Sequence, residues 1–153
     1  MDELFYINNK MTPTLESLIQ NIDTFDEFEK KFSDEMLADD DRVGNYLREL
    51  LWKYNVDYSA ISRKAGLHRS YVGNIVNGKK NNPQRDAIIA ICLAIGTTIE
   101  EVQYFLKYAG HAPLYVRRKR DVVIWFGFVK GKSIGDVDDD LYNRGYKTFL
   151  KED

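Results

Sequence analysis

Apolar residues recur along most of this chain at the three- and four-residue intervals of an amphipathic helix, not at the two-residue alternation of a half-buried strand. Thr12-Pro13 offers an N-cap followed by Pro at the first helical position, and Leu15, Leu18, Ile19 and Ile22 then form one stripe. Thr24-x-x-Glu27 is a capping box that opens a second helix with Phe25, Phe28, Phe32 and Met36 inward. The run Asp39-Asp40-Asp41 closes this region as a solvated link. Val43, Leu47, Leu50, Leu51 and Tyr54 follow i, i+4, i+7, i+8, i+11, the spacing of an amphipathic helix. Further on, Asn82-Pro83 starts a helix with Ile88, Ile91, Cys92 and Ile95 on one face and Gly96 at its end. Thr98-x-x-Glu101 is another capping box, followed by the stripe Val102, Phe105, Leu106 and Ala109 up to Gly110.

Between Tyr54 and Asn82 lies the stretch around which the chain is organised. Asp57 is placed to cap a short helix whose Ile61 and Ala65 share one face, and Gly66 supplies the left-handed residue that ends it. A second helix starting near Arg69 carries Val72, Ile75 and Val76 inward and stops at Gly78. This leaves Arg69, Ser70, Tyr71, Gly73, Asn74 and Asn77 on its exposed side. Two helices around a short glycine-containing turn is the helix-turn-helix plan, whose second helix enters the DNA major groove. An ordinary helical hairpin is the plainer alternative. The pattern predicts five helices between residues 42 and 110.

After His111-Ala112-Pro113 and the basic run Arg117–Arg120 comes the apolar run Val122–Phe126. It is read as helix because no partner strand exists elsewhere, with a strand over 122–129 as the alternative. Ser133 and Asp136 make a further N-terminal box, with Ile134, Val137 and Leu141 inward and Gly145 at the end. The expected fold is all-α: a five-helix bundle with added N- and C-terminal helices. The expected division is an acidic extension over 1–41, a helix-turn-helix domain over 42–110 and a C-terminal extension over 111–153.

Charge sharpens this division. Residues 1–41 hold twelve Asp/Glu against three Lys/Arg, and residues 42–97 hold nine Lys/Arg against three Asp/Glu, although the whole chain carries only −2. A positive excess on the segment with the second motif helix is the footprint of a surface that faces phosphates. The single cysteine, Cys92, has no intramolecular partner and sits on an apolar face, which fits a reducing compartment and a core role. No secretory signal or spanning apolar run is visible, so a soluble cytoplasmic protein is expected, with no membrane partner.

The pattern Ile61-x-x-x-Ala65-Gly66-Leu67 before the turn and Ser70-Tyr71-Val72-x-x-Ile75-x-Asn77-Gly78-Lys79 after it resembles the phage-repressor type of helix-turn-helix, the Cro/cI or XRE-like family. The likeness covers residues 43–106, and Pro83 and the segment Leu93–Glu101 match its fourth and fifth helices. The resemblance implies base contacts from Arg69, Ser70 and Asn74, with Tyr71 nearby; Arg pairs naturally with guanine and Asn with adenine. It implies phosphate contacts from Tyr58, Asn77, Lys79 and Lys80. The chain departs from the family at Tyr58-Ser59, where Gln is common.

Nothing suggests an enzyme. Two histidines and one cysteine do not make an ordinary zinc site, Asp138-Asp139-Asp140 lacks the alternation of a calcium loop, and no cofactor is expected. His68 is read as a phosphate contact or a solvated turn residue, His111 as a helix C-terminal cap, and Trp52 and Trp125 as packing residues. The expected function is sequence-specific, double-stranded DNA binding by a transcriptional regulator that pairs as a homodimer through its C-terminal helices, with Trp125, Phe126 and Phe128 as candidate contacts. The alternative is a protein-binding adaptor or inhibitor that uses the fold as scaffold. On that view the acidic N-terminal helices bind a protein partner, or fold over the basic face.

Overall fold

The computed structural model of the protein describes residues 19–32 and 43–150. The chain divides into two compact units, residues 1–41 and 42–153. Among the described residues all regular structure is helical, with eight helices and no strand.

In the first unit α1 spans Phe25–Phe32. Thr24 Oγ1 accepts from the Glu27 amide at 3.2 Å, which ties off one orphan donor of the first turn. Phe28 is buried, but Phe25 is 64 % exposed, against the inward expectation. A helical side chain leans over the turn that precedes it, and at the first helical position there is none. Ile19 is likewise exposed. The features expected at Thr12-Pro13, Leu15, Leu18, Met36 and Asp39–Asp41, and the side chain of Phe32, lie outside the described residues.

The second unit opens with α2 (Val43–Lys53), followed by the motif helices α3 (Tyr58–Lys64) and α4 (Tyr71–Val76). Then come α5 (Arg85–Ile95) and α6 (Ile99–Tyr108), completing five helices between residues 42 and 110. α2 packs on α4 and α6, α3 on α4 and α5, and α5 on α6. Helix α5 is the axis of this packing. Every residue from Ala87 to Ile95 is buried, so the expected single apolar face is in fact a helix enclosed all round. It also begins later than expected: Gln84, not Asn82, is the N-cap, with an extended ψ of 157°. Pro83 stays in the connection, its carbonyl bonded by His111 Nε2 at 2.8 Å. The His111 ring therefore ties the loop before α5 to the end of α6, while the residue's backbone amide caps α6 as expected, donating to the Leu106 carbonyl at 2.8 Å.

The run after Arg118 is helical, α7 (Lys119–Val129), which removes the strand alternative. It packs on α8 (Ile134–Asn143) and α6, and α8 reaches α5. Ser133 Oγ accepts from the Asp136 amide at 3.1 Å, and Ile134, Val137 and Leu141 are buried as expected. Phe128 is buried inside the chain's own fold, Trp125 is half-buried and Phe126 is 55 % exposed. Trp52, expected to pack, is 86 % exposed; Leu51 points inward, and the next residue is turned about 100° away from it.

Glu101 joins the first and last helices of the bundle. It is only 2 % exposed and completes a capping box with Thr98. It accepts from Lys53 Nζ at 2.9 Å and from Tyr54 Oη at 2.5 Å, and its backbone oxygen accepts from Tyr46 Oη at 3.4 Å. Burial raises the pKa of this carboxyl, but the Thr98 amide, Tyr54 and Lys53 outweigh burial and hold it below the ordinary value.

Candidate nucleic-acid interface

The sequence from Asp57 to Lys80 builds the motif from local rules. Asp57 caps α3, its carboxylate accepting from the Ala60 amide at 3.0 Å and Ser59 Oγ at 2.8 Å. The bonds from Ser59 and Ala60 hold that carboxyl below its usual range. Gly66 takes φ +75°, the left-handed conformation that ends the helix and turns the chain. His68, Arg69 and Ser70 then form the turn. His68 Nδ1 accepts from the Ser70 amide at 3.2 Å and lies 2.7 Å from Ser70 Oγ. α4 consequently starts at Tyr71, two residues later than the spacing suggests, with Ser70 as its N-cap.

Three contacts fix α4 in place, and pattern reading missed all of them. Ser62, completely buried in α3, donates to the Tyr58 carbonyl and accepts from the Val72 amide, both at 3.0 Å. This staples the first turn of α4 to α3. Arg48 of α2 donates to the Val76 carbonyl at 3.3 Å, at the other end of α4. Between them Gly44 of α2 lies directly against the carbonyl oxygens of Ile75 and Val76, where a Cβ would overlap them. The glycine lets the two backbones approach. Its only sequence signal is a glycine inside a helical pattern.

The expected base-contacting residues fall together on the turn and the start of α4. Arg69 and Ser70 are exposed, whereas Tyr71 and Asn74 are half-buried. Tyr71 is covered by Lys80, whose Nζ lies 5.1 Å from its ring centre, and burial raises its phenol pKa against a bond with the Gln84 backbone. Of the expected phosphate contacts, Tyr58 is the first residue of α3 and 37 % exposed. Asn77 is exposed, but its Oδ1 accepts from the Lys79 amide at 3.0 Å, so it also shapes the loop. The Lys80 amide donates to the Asn74 carbonyl at 2.9 Å, holding that loop against α4. Lys79 is exposed and Lys80 half-buried.

The result is a short helix held at both ends, with a guanidinium and a hydroxyl at its entrance and ammonium groups at its exit. Such an array offers bidentate donors to base edges and point charges to phosphates. Residues 47–102 match the family model described as Helix-turn-helix, and this segment is of the XRE type. No curated protein and no solved structure matches the chain.

Proposed function

We propose that this chain, whose residues 47–102 form a DNA-binding helix-turn-helix domain of the XRE type, is a transcriptional regulator that recognises a specific double-stranded sequence. The observation that carries the reading is the family match over a motif whose turn leaves Arg69 and Ser70 exposed. Helix α4 enters the major groove with Arg69, Ser70, Tyr71 and Asn74 toward base edges. Tyr58, Asn77, Lys79 and Lys80 take phosphates on either side. One six-residue helix reads only a few base pairs, so two copies act as a homodimer on a two-fold site. The exposed side of α7, with Phe126 55 % and Val129 53 % exposed, supports the C-terminal helices as the pairing surface. Phe128, buried in its own fold, takes no part.

Selection from a random duplex pool with the purified protein tests this reading. A single enriched motif is expected. On the selected site Arg69→Ala and Asn74→Ala each cost about 1–3 kcal/mol and relax preference at one base position. Lys79→Ala weakens all sequences alike. Retention of full sequence preference by Arg69→Ala overturns the assignment of α4.

A further inference from the structure

A cleft of about 380 Å³ opens beside α4, and it is not built by the motif alone. One side is Tyr71 and Lys80 with Gln84; the other is Lys147, Thr148 and Phe149 from the segment that follows α8. This segment has no regular structure but is firmly held. Asp138, completely buried in α8, accepts from the Phe149 amide at 2.6 Å and the Leu150 amide at 2.8 Å. Arg120 Nε donates to the Lys147 carbonyl at 3.0 Å, and its guanidinium lies 5.0 Å from the Phe149 ring centre. The Leu150 side chain rests on Gly66, the glycine of the helix-turn-helix turn. The backbone of Lys147 is thus fixed to the same body as α4.

The side chain of Lys147 is left outward, 80 % exposed. Its carboxylate neighbour is Asp86, at 3.7 Å. Arg120 already grips both oxygens of Asp86, at 3.0 and 3.1 Å. The Lys147 ammonium is therefore not committed to Asp86, and it lines the same cleft as Lys80. An exposed pair at that distance contributes little, so an incoming anion displaces no strong interaction. Two cations in a cleft that reaches the first residue of α4, whose one carboxylate, Asp86, is already held by Arg120, fit a phosphodiester of the duplex backbone.

We infer that Lys147 is a further phosphate-binding residue of the DNA interface, and that the interface extends beyond residues 47–102 onto the segment after α8. The inference rests on the DNA-binding reading above. Because Asp138, Arg120 and Leu150 fix the backbone in advance, the contact forms without ordering a loose tail.

The test uses the full-length chain and two duplexes, the selected site and a scrambled one, titrated across a range of salt. Lys147→Ala should weaken both by the same factor, about three- to tenfold per bound protomer at moderate salt, and reduce the log–log salt slope by about 0.9 per bound protomer, the value of one phosphate each. Lys147→Arg should keep the wild-type slope. Lys107→Ala, an exposed cation of α6 that does not line this cleft, should change neither quantity. An unchanged slope and affinity for Lys147→Ala, with wild-type protein binding its site, overturns the inference and leaves the DNA reading intact. Equal losses from Lys107→Ala and Lys147→Ala also overturn it, since they indicate net charge and not a contact. A wild-type chain that prefers no duplex overturns the DNA reading and this inference together.

Discussion

Glu101→Ala removes the carboxylate that joins α2 to α6, and its cost can be worked from the contacts. The Thr98 amide loses its acceptor, at 2.9 Å in the wild type. It sits on an exposed residue where water can replace the bond, so losing this half of the capping box costs about 1 kcal/mol. Tyr54 is half-buried and loses the partner of its hydroxyl, about another 1 kcal/mol. Lys53, 36 % exposed, returns to solvent, so its ion pair is discounted to about 0.5 kcal/mol. The expected loss is about 2–3 kcal/mol, or a fall in melting temperature of roughly 10 °C for a unit of this size.

Acidity gives an independent check on the same residue. The folded-state pKa of Glu101 lies below its ordinary value of 4.5. Its contribution is therefore present above the unfolded pKa and is lost as pH falls through the folded value. Thermal melts of wild type and Glu101→Gln should differ most near neutrality and converge as pH drops below about 4.5. A pH-independent gap, or a loss under 1 kcal/mol in Glu101→Ala, refutes the argument that this carboxylate holds the helices as an ion.

The other perturbations act on packing. Gly44→Ala drives a methyl group into the carbonyl oxygens of Ile75 and Val76 and should cost at least 1–3 kcal/mol by overpacking. Urea titration measures the loss, and a neutral result means that α2 and α4 are not in backbone contact. Trp52→Ala, at an 86 % exposed position, should stay within about 0.5 kcal/mol of wild type in the same titration. Phe128→Ala should cost about 3 kcal/mol, because that ring is buried, and Phe126→Ala should weaken the proposed dimer in sedimentation while leaving the melt nearly unchanged.

How much of this was legible in the sequence depends on whether the signal was periodic. The capping box at Thr98, the Ser133 side-chain cap and the inward stripes of α2, α6 and α8 follow from spacing, because each helix shows one face to the core. Helix α5 defeats that logic. Its alanines at 87, 90 and 94 let neighbours close in on sides that an amphipathic reading leaves to solvent. Asp138-Asp139-Asp140 shows in the sequence only that it lacks the alternation of a calcium loop, yet Asp138 is the buried acceptor that holds residues 149 and 150. The candidate contact residues were legible from the motif. The segment carrying Lys147 has no period, so only the fold shows that it borders the motif.

Helix α4 is six residues long, far below the length at which a helix sustains itself in water. Its geometry must be imposed from outside, and Ser62 imposes it at the first turn. Ser62→Ala removes the acceptor of the Val72 amide, a buried bond. Leaving that donor unsatisfied should cost about 1–3 kcal/mol. Because the bond lies at the entrance of α4, part of that loss should be local release of the first turn and not global unfolding. Amide exchange at Val72 should therefore accelerate more than exchange in α5. DNA affinity should fall at temperatures where the variant is still folded, and preference among bases should persist in the population that binds. Uniform acceleration across α4 and α5, with affinity tracking the folded fraction alone, would show that Ser62 stabilises the bundle as a whole and that α4 is held by its apolar face.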